Sequence, residues 1–198
     1  MNINDQFIQK SINERIILRK IFSKMSINYD WKYLLTDETS YDLYDGRLMK
    51  FKKDTGEIIE NYYVEIKVRD THYDELMLED IKHKNLIKLA KKLDDKINKE
   101  CMTMIDSKII YISSTPQGSF LYNLSEIDFD KVEWQIKTLP VSTVNRSAGK
   151  IEKKVCFLST KLAKFIPITS NDIVQNDDII IKKVMINQAQ NRCIFFGM

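Results

Sequence analysis

The chain has 198 residues, 43% of them hydrophobic and 30% charged, with a formal net charge of +3. This is the make-up of a folded globular protein with enough chain to bury its own core, and it excludes a disordered, collagen-like or disulfide-framed class. The three cysteines, Cys101, Cys156 and Cys193, form no Cys-x-x-Cys, and with His72 and His83 as the only imidazoles they supply no zinc-finger spacing. No cationic-then-apolar leader is seen at the N-terminus and no apolar run is long enough to span a bilayer. The expectation is therefore a soluble protein of a reducing cytoplasm.

In chain order, residues 3–25 read as an amphipathic helix. Phe7, Ile8, Ile12, Ile16, Ile17, Ile21 and Phe22 recur at three- and four-residue steps, and Glu14 lies on the same helix. A short apolar piece, residues 31–35, precedes a polar break. Two strand candidates follow, residues 42–52 and 58–69, around Asp54-Thr55-Gly56-Glu57, where Gly56 supplies the positive φ of a tight turn. The second is the clearest strand in the chain, because Tyr62-Tyr63-Val64-Glu65-Ile66-Lys67-Val68 is rich in aromatic and β-branched residues.

Residues 76–98 read as a long helix, with Leu78, Ile81, Leu86, Leu89, Ala90, Leu93 and Ile97 as its apolar side and lysines elsewhere. Residues 108–113 form a strand. The turn Thr115-Pro116-Gln117-Gly118 joins it to a partner at 120–124, and a one-turn helix capped by Ser125 follows. Residues 132–139 and 153–158 read as strands separated by a polar loop at 145–150. Residues 167–178 are a connection, and 178–198 lack clear periodicity. The order implies an α/β (mixed α+β) fold: a central mixed sheet flanked by helices, with the 76–98 helix crossing over to a parallel neighbour. Residues 1–124 form the core, and 125–198 are a β-rich extension packed on it within one compact domain.

The chemistry concentrates at the 42–69 hairpin. Charged side chains rarely interrupt a buried strand unless they are paired or hold a metal. With Thr55 and Gly56 at the turn, Glu65 falls opposite Gly46, or, with a one-residue shift, opposite Asp45. Strand alternation puts Glu65 and Lys67 on one face, while Val64, Ile66 and Val68 share the other and meet a helix. Two adjoining carboxylates repel unless a cation lies between them. A hard ion such as Mg²⁺ favours such carboxylates together with a backbone carbonyl, here that of Ile66. Lys67 then orients or activates a nucleophilic water or stabilises transition-state charge, and Arg69 grips a neighbouring phosphate.

Asp45, then Glu65-Ile66-Lys67-Val68-Arg69, between a helix bearing Glu14 and a second long helix, resembles the PD-(D/E)XK nuclease superfamily in its Glu-x-Lys-x-Arg form, as in junction resolvases and phage nucleases. The resemblance covers roughly residues 5–113. It implies a restriction-endonuclease-like core and metal-dependent hydrolysis of DNA, with Asp45, Glu65 and Lys67 as catalytic residues. It implies Mg²⁺ or Mn²⁺ held by Glu14, Asp45, Glu65 and Ile66, and substrate contacts from Arg69 with Lys82 or Lys84. Asp42 is the competitor of Asp45, pointing to the opposite face of an unbroken strand. No Pro precedes the Asp, a position at which the superfamily is loose. A homodimer follows from the need to cut two strands, and no organic cofactor is implied. The Lys-, Ile- and Asn-rich composition fits an AT-rich phage or mobile element, hence host cytoplasm. A catalytically inactive nucleic-acid-binding or assembly protein is the alternative, motivated by the unaligned residues beyond Ser113.

Overall fold

A computed structural model describes residues 3–26, 30–37, 44–101, 104–141 and 149–173. Asp42, most of the 145–150 loop, Cys193 and the 178–198 segment lie outside the described residues.

Helix α1 is Ile3–Ser26, as its apolar periodicity predicts. Strands β1 (Trp31–Leu35), β2 (Gly46–Phe51) and β3 (Ile58–Val68) follow. The chain then departs from expectation. Glu75–Glu79 is a strand, β4, and helix α2 begins only at Asp80 and runs to Cys101. Leu76 and Leu78, spaced two apart, bury their side chains from this strand rather than from a first helical turn. Strands β5 (Lys108–Thr115) and β6 (Gly118–Asn123) form the expected hairpin. The 3₁₀ turn after it, Leu124–Glu126, is capped by the Asn123 side chain and not by Ser125. Strands β7 (Gln135–Pro140), β8 (Lys150–Ser159) and β9 (Lys164–Ile166) complete the set, with a further 3₁₀ turn at Ser170–Ile173 inside the stretch read as a plain connection.

The protein is α/β. Its central six-stranded sheet has the order β1-β2-β3-β5-β6-β9, and a second, three-stranded sheet has the order β4-β8-β7. Strands β3 and β5 are parallel, joined through β4 and α2 as a crossover, and the other pairs are antiparallel. Residues beyond 124 contribute to both sheets, since β8 pairs with β4 and β9 with β6.

One face of the central sheet packs on α1. Ile17, Leu18, Ile21 and Phe22 meet Leu48, Val64, Ile66, Ile112 and Leu121. Each such fully buried side chain contributes roughly 1.5–3 kcal/mol. The other face, with Tyr63, Ile109, Tyr111 and Tyr122, packs on Leu86 and Ala90 of α2 and on Leu76, Leu78, Cys156 and Leu158 of the second sheet. The buried stripe of α2 is His83, Leu86, Ala90 and Asp94, whereas Ile81 and Ile87 are exposed. The stripe is thus rotated from the one an apolar count selects, because it also buries an imidazole and a carboxylate. No helix among the described residues is long and apolar enough to cross a membrane.

Candidate active site

The hairpin register places the acids. Gly56 takes φ 68 at the turn. Above an irregularity at Lys50 and Phe51, Gly46 pairs with Val64, so Asp45 enters β2 level with Glu65. This is the shifted one of the two alignments the sequence allows. The basic run Lys50 to Lys53 sits at the other end of the hairpin, where Lys50 meets Glu60 at 3.2 Å and Lys53 meets Asp30 at 3.9 Å.

Three carboxylates are buried side by side: Glu14 of α1, Asp45 and Glu65 are 5%, 6% and 3% exposed. Lys67 ties two of them together. Its Nζ lies 2.8 Å from Glu65 Oε1 and donates to Glu14 Oε1 at 3.3 Å. Burial acts to lower the Lys67 pKa, but Glu65, Glu14 and Asp45 overcome it and hold the ammonium above the usual lysine range. For Glu14, burial raises the carboxyl. Lys67 and Lys10 oppose this, while Asp45 and Glu65 push with it, so the net shift is upward.

Lys82, from the first turn of α2, places its Nζ on the same Glu65 Oε1 and lies over the Tyr111 ring at 5.8 Å. Burial lowers its pKa, Lys67 lowers it further, and Glu65 works against both. Burial likewise drives the Tyr111 hydroxyl above the ordinary tyrosine range, with Lys67 opposing. Arg69, just past β3, is anchored by its amide to the Ser114 carbonyl at 2.8 Å and by Nε donation to Ser113 Oγ at 3.2 Å.

Asp45 has a partner that the sequence reading missed. Arg15 Nη1 meets Asp45 Oδ1 at 2.5 Å, and the amide N–H of Ile66 donates to Asp45 Oδ2 at 2.7 Å. Arg15 also donates from Nε to the Thr36 carbonyl at 3.1 Å and from Nη2 to Thr36 Oγ1 at 2.8 Å. A readable signal exists: Glu14-Arg15 breaks into the apolar run that continues through Ile16, Ile17 and Leu18, and all five residues are buried. Ile66 therefore joins the site through its amide rather than through the carbonyl expected as a ligand.

The structure thus gathers Glu14, Asp45, Glu65, Ile66, Lys67 and Lys82, with Arg69 at the strand end. Lys84 is not gathered: it pairs with Asp80 at 2.8 Å on the outer side of α2 and its side chain is 65% exposed. Lys10 joins the cluster from α1, within electrostatic reach of Glu14, Lys67, Arg69 and Lys82.

The donor set is all hard oxygen, which suits a divalent ion such as Mg²⁺, and burial, with the neighbouring acids, raises the Glu14 carboxyl. Among the described residues, however, no group of three or more His, Cys, Asp or Glu side chains is assembled as a ligand set. Arg15, Lys67 and Lys82 supply the positive charge instead. The residues fit such an ion in kind and in neighbourhood, and internal cations occupy them.

A cavity lies elsewhere. A groove of about 720 Å³ runs along α2 between His83 and Asn98 and is rimmed by Asp94, Asp95, Asp106, Asp128 and Asp130 with Lys91. That charge disfavours a polyanion in the groove. His83 sits at its inner end. It is buried against Phe129, with ring centroids 3.8 Å apart.

No protein-family model, curated protein or solved structure matches the chain.

Proposed function

We propose that the chain is a metal-dependent nuclease of the PD-(D/E)XK type that hydrolyses DNA phosphodiester bonds. One observation carries the reading: Glu65 and Lys67 share one face of β3, level with Asp45 at the entry to β2 and within reach of Glu14 of α1, so that a single ammonium bridges two acids beside a third. Buried charge on that scale is expensive to maintain and is typical of a site built for chemistry rather than for stability.

Glu14, Asp45 and Glu65 would hold the divalent ion, which when bound neutralises phosphate charge and activates the attacking water. Lys67, fixed by its two acids, points its ammonium at the charge that develops on the phosphoryl oxygens. Arg15 and the Ile66 amide hold the Asp45 carboxylate in one orientation. Arg69, Lys10 and Lys82 outweigh the remaining acid charge and draw the phosphate backbone to the strand end, so binding weakens as salt rises.

The test is cleavage of plasmid, linear, single-stranded and branched DNA with Mg²⁺ by wild type, Glu65→Gln and Lys67→Ala. Each substitution is expected to slow cleavage on the order of 10²–10⁴-fold. Variants that cut at the wild-type rate would overturn the reading.

A second reading, a binding or assembly protein without catalysis, is favoured by the way the acids are already neutralised by Arg15, Lys67 and Lys82. Thermal unfolding with Mg²⁺ or Mn²⁺ separates the two: a nuclease site is stabilised by the ion, whereas a fully self-compensated cluster is indifferent to it.

A further inference from the structure

We propose that Lys82 is an exchangeable counter-ion that competes with the divalent ion for Glu65 when DNA is absent and moves to a DNA phosphate when DNA is present, so that ion and DNA bind cooperatively. The proposal rests on the nuclease reading and adds to it a coupling between the two ligands.

The geometry gives Lys82 and Lys67 different standing. Both ammoniums contact the same oxygen, Glu65 Oε1. Lys67 rises from the middle of the sheet and is held by a second acid, Glu14 at 3.3 Å. Lys82 has Glu65 as its acid partner, with the Tyr111 ring beneath it at 5.8 Å, and its side chain remains 31% exposed. It also stands on the first turn of α2, Asp80–Cys101, where the positive end of the helix dipole disfavours a cation. Two ammoniums on one oxygen repel each other, and of the two, Lys82 is less tightly held and has a path to solvent. It is therefore the one that gives way.

A divalent ion that takes Glu65 must displace the Lys82 ammonium from Oε1. Released into a neighbourhood that already holds Lys67, Arg69 and Lys10, that ammonium gains most from a new anion, and the phosphate backbone is the anion a nuclease meets there. Each ligand thereby removes an obstacle to the other, and by linkage the effect is equal in both directions. Off DNA, the same contact keeps ion occupancy low.

The experiment measures Mn²⁺ binding by calorimetry to the full chain, alone and saturated with a short phosphorothioate duplex that resists cleavage. Wild type, Lys82→Met and Lys82→Arg are compared, with circular dichroism as a check on folding. For wild type, the duplex is expected to tighten Mn²⁺ binding on the order of tenfold. Lys82→Met is expected to bind Mn²⁺ alone about tenfold more tightly than wild type and to lose the response to duplex, and Lys82→Arg to keep both wild-type properties. If wild type binds Mn²⁺ and Lys82→Met binds it equally or more weakly, the exchange is refuted while the nuclease reading stands. If no variant binds Mn²⁺ with or without duplex, the metal site and the exchange both fall.

Discussion

At the Glu65 end of β3 the charged groups are inside the fold and matched against one another. Beside the Tyr63 end, roughly 7 Å away at about 3.3 Å per residue, charge lies on the surface around an apolar floor. The site end buries Glu14, Arg15, Asp45 and Glu65 together. The groove end exposes Asp95, Asp106, Asp128 and Asp130, and beneath them it buries one imidazole whose Nε2 has no hydrogen-bond partner. The difference shows where the molecule tolerates constraint. Interior charge demands a specific partner for every group, because an unmatched one carries its full desolvation penalty, whereas surface charge is solvated and loosely specified.

The sharpest way to break this contrast is at Arg15. Arg15→Met leaves Asp45 with only the Ile66 amide and is expected to cost about 3–5 kcal/mol, read as a shift of the urea midpoint and a fall of roughly 10 °C in Tm. The double variant Arg15→Met with Asp45→Leu should recover most of the loss. A single variant as stable as wild type would mean that the pair does not hold the site together.

A smaller effect is expected at His83. Burial lowers its pKa below the ordinary 6.5, Asp80 opposes this and Lys84 adds to it. The unfolded chain therefore binds the proton more readily than the folded one. The stability from keeping the ring neutral is complete above about pH 6.5 and is lost as pH falls through the lower native value. His83→Phe, which preserves the stack on Phe129, should change stability at neutral pH by less than about 1.5 kcal/mol. It should also remove the part of the acid sensitivity that appears in melting curves between about pH 7 and pH 5. Parallel pH profiles for the two proteins would show that His83 does not titrate on unfolding.

The smallest effect belongs to Lys84, two residues from Lys82 but on the outer side of α2. Its exposed pair with Asp80 contributes about 0.3–0.5 kcal/mol, so Lys84→Ala should leave the melting temperature within a degree or two and DNA affinity unchanged in a filter-binding assay. A loss of affinity comparable to that of Lys82→Ala would return Lys84 to the substrate surface.

Several features of this fold were legible before any coordinates. Alternation in Tyr63-Val64-Glu65-Ile66-Lys67 placed Val64 and Ile66 toward α1 and left Glu65 and Lys67 together on the other face, since a strand has no other way to dispose its side chains. Local pattern failed where the deciding contact is remote. Glu75-Leu76-Met77-Leu78-Glu79 fits the start of a helix as well as a strand, and its pairing with Val155 to Ser159 resolves the ambiguity. Strand β9, of three residues, exists through its pairing with Ser119 to Leu121. The role of Lys82 rather than Lys84 depends on how α2 is rotated against β3, and that rotation is set by the burial of His83, Leu86, Ala90 and Asp94.

The sequence by itself determined the helix α1 with its buried Ile16, Ile17, Ile21 and Phe22, the β2–β3 and β5–β6 hairpins and the common face of Glu65 and Lys67, because these follow from the periods of helix and strand over a few residues. Tertiary structure alone decided that Arg15 locks Asp45, that Glu14 comes within reach of Lys67, and that two lysines share one carboxylate oxygen. Apart from Lys67 with Glu65, those contacts join residues from 17 to 53 positions apart in the chain. Their pairing is set by how helix and sheet dock and by the penalty on leaving any buried charge unmatched, and neither is written in local periodicity.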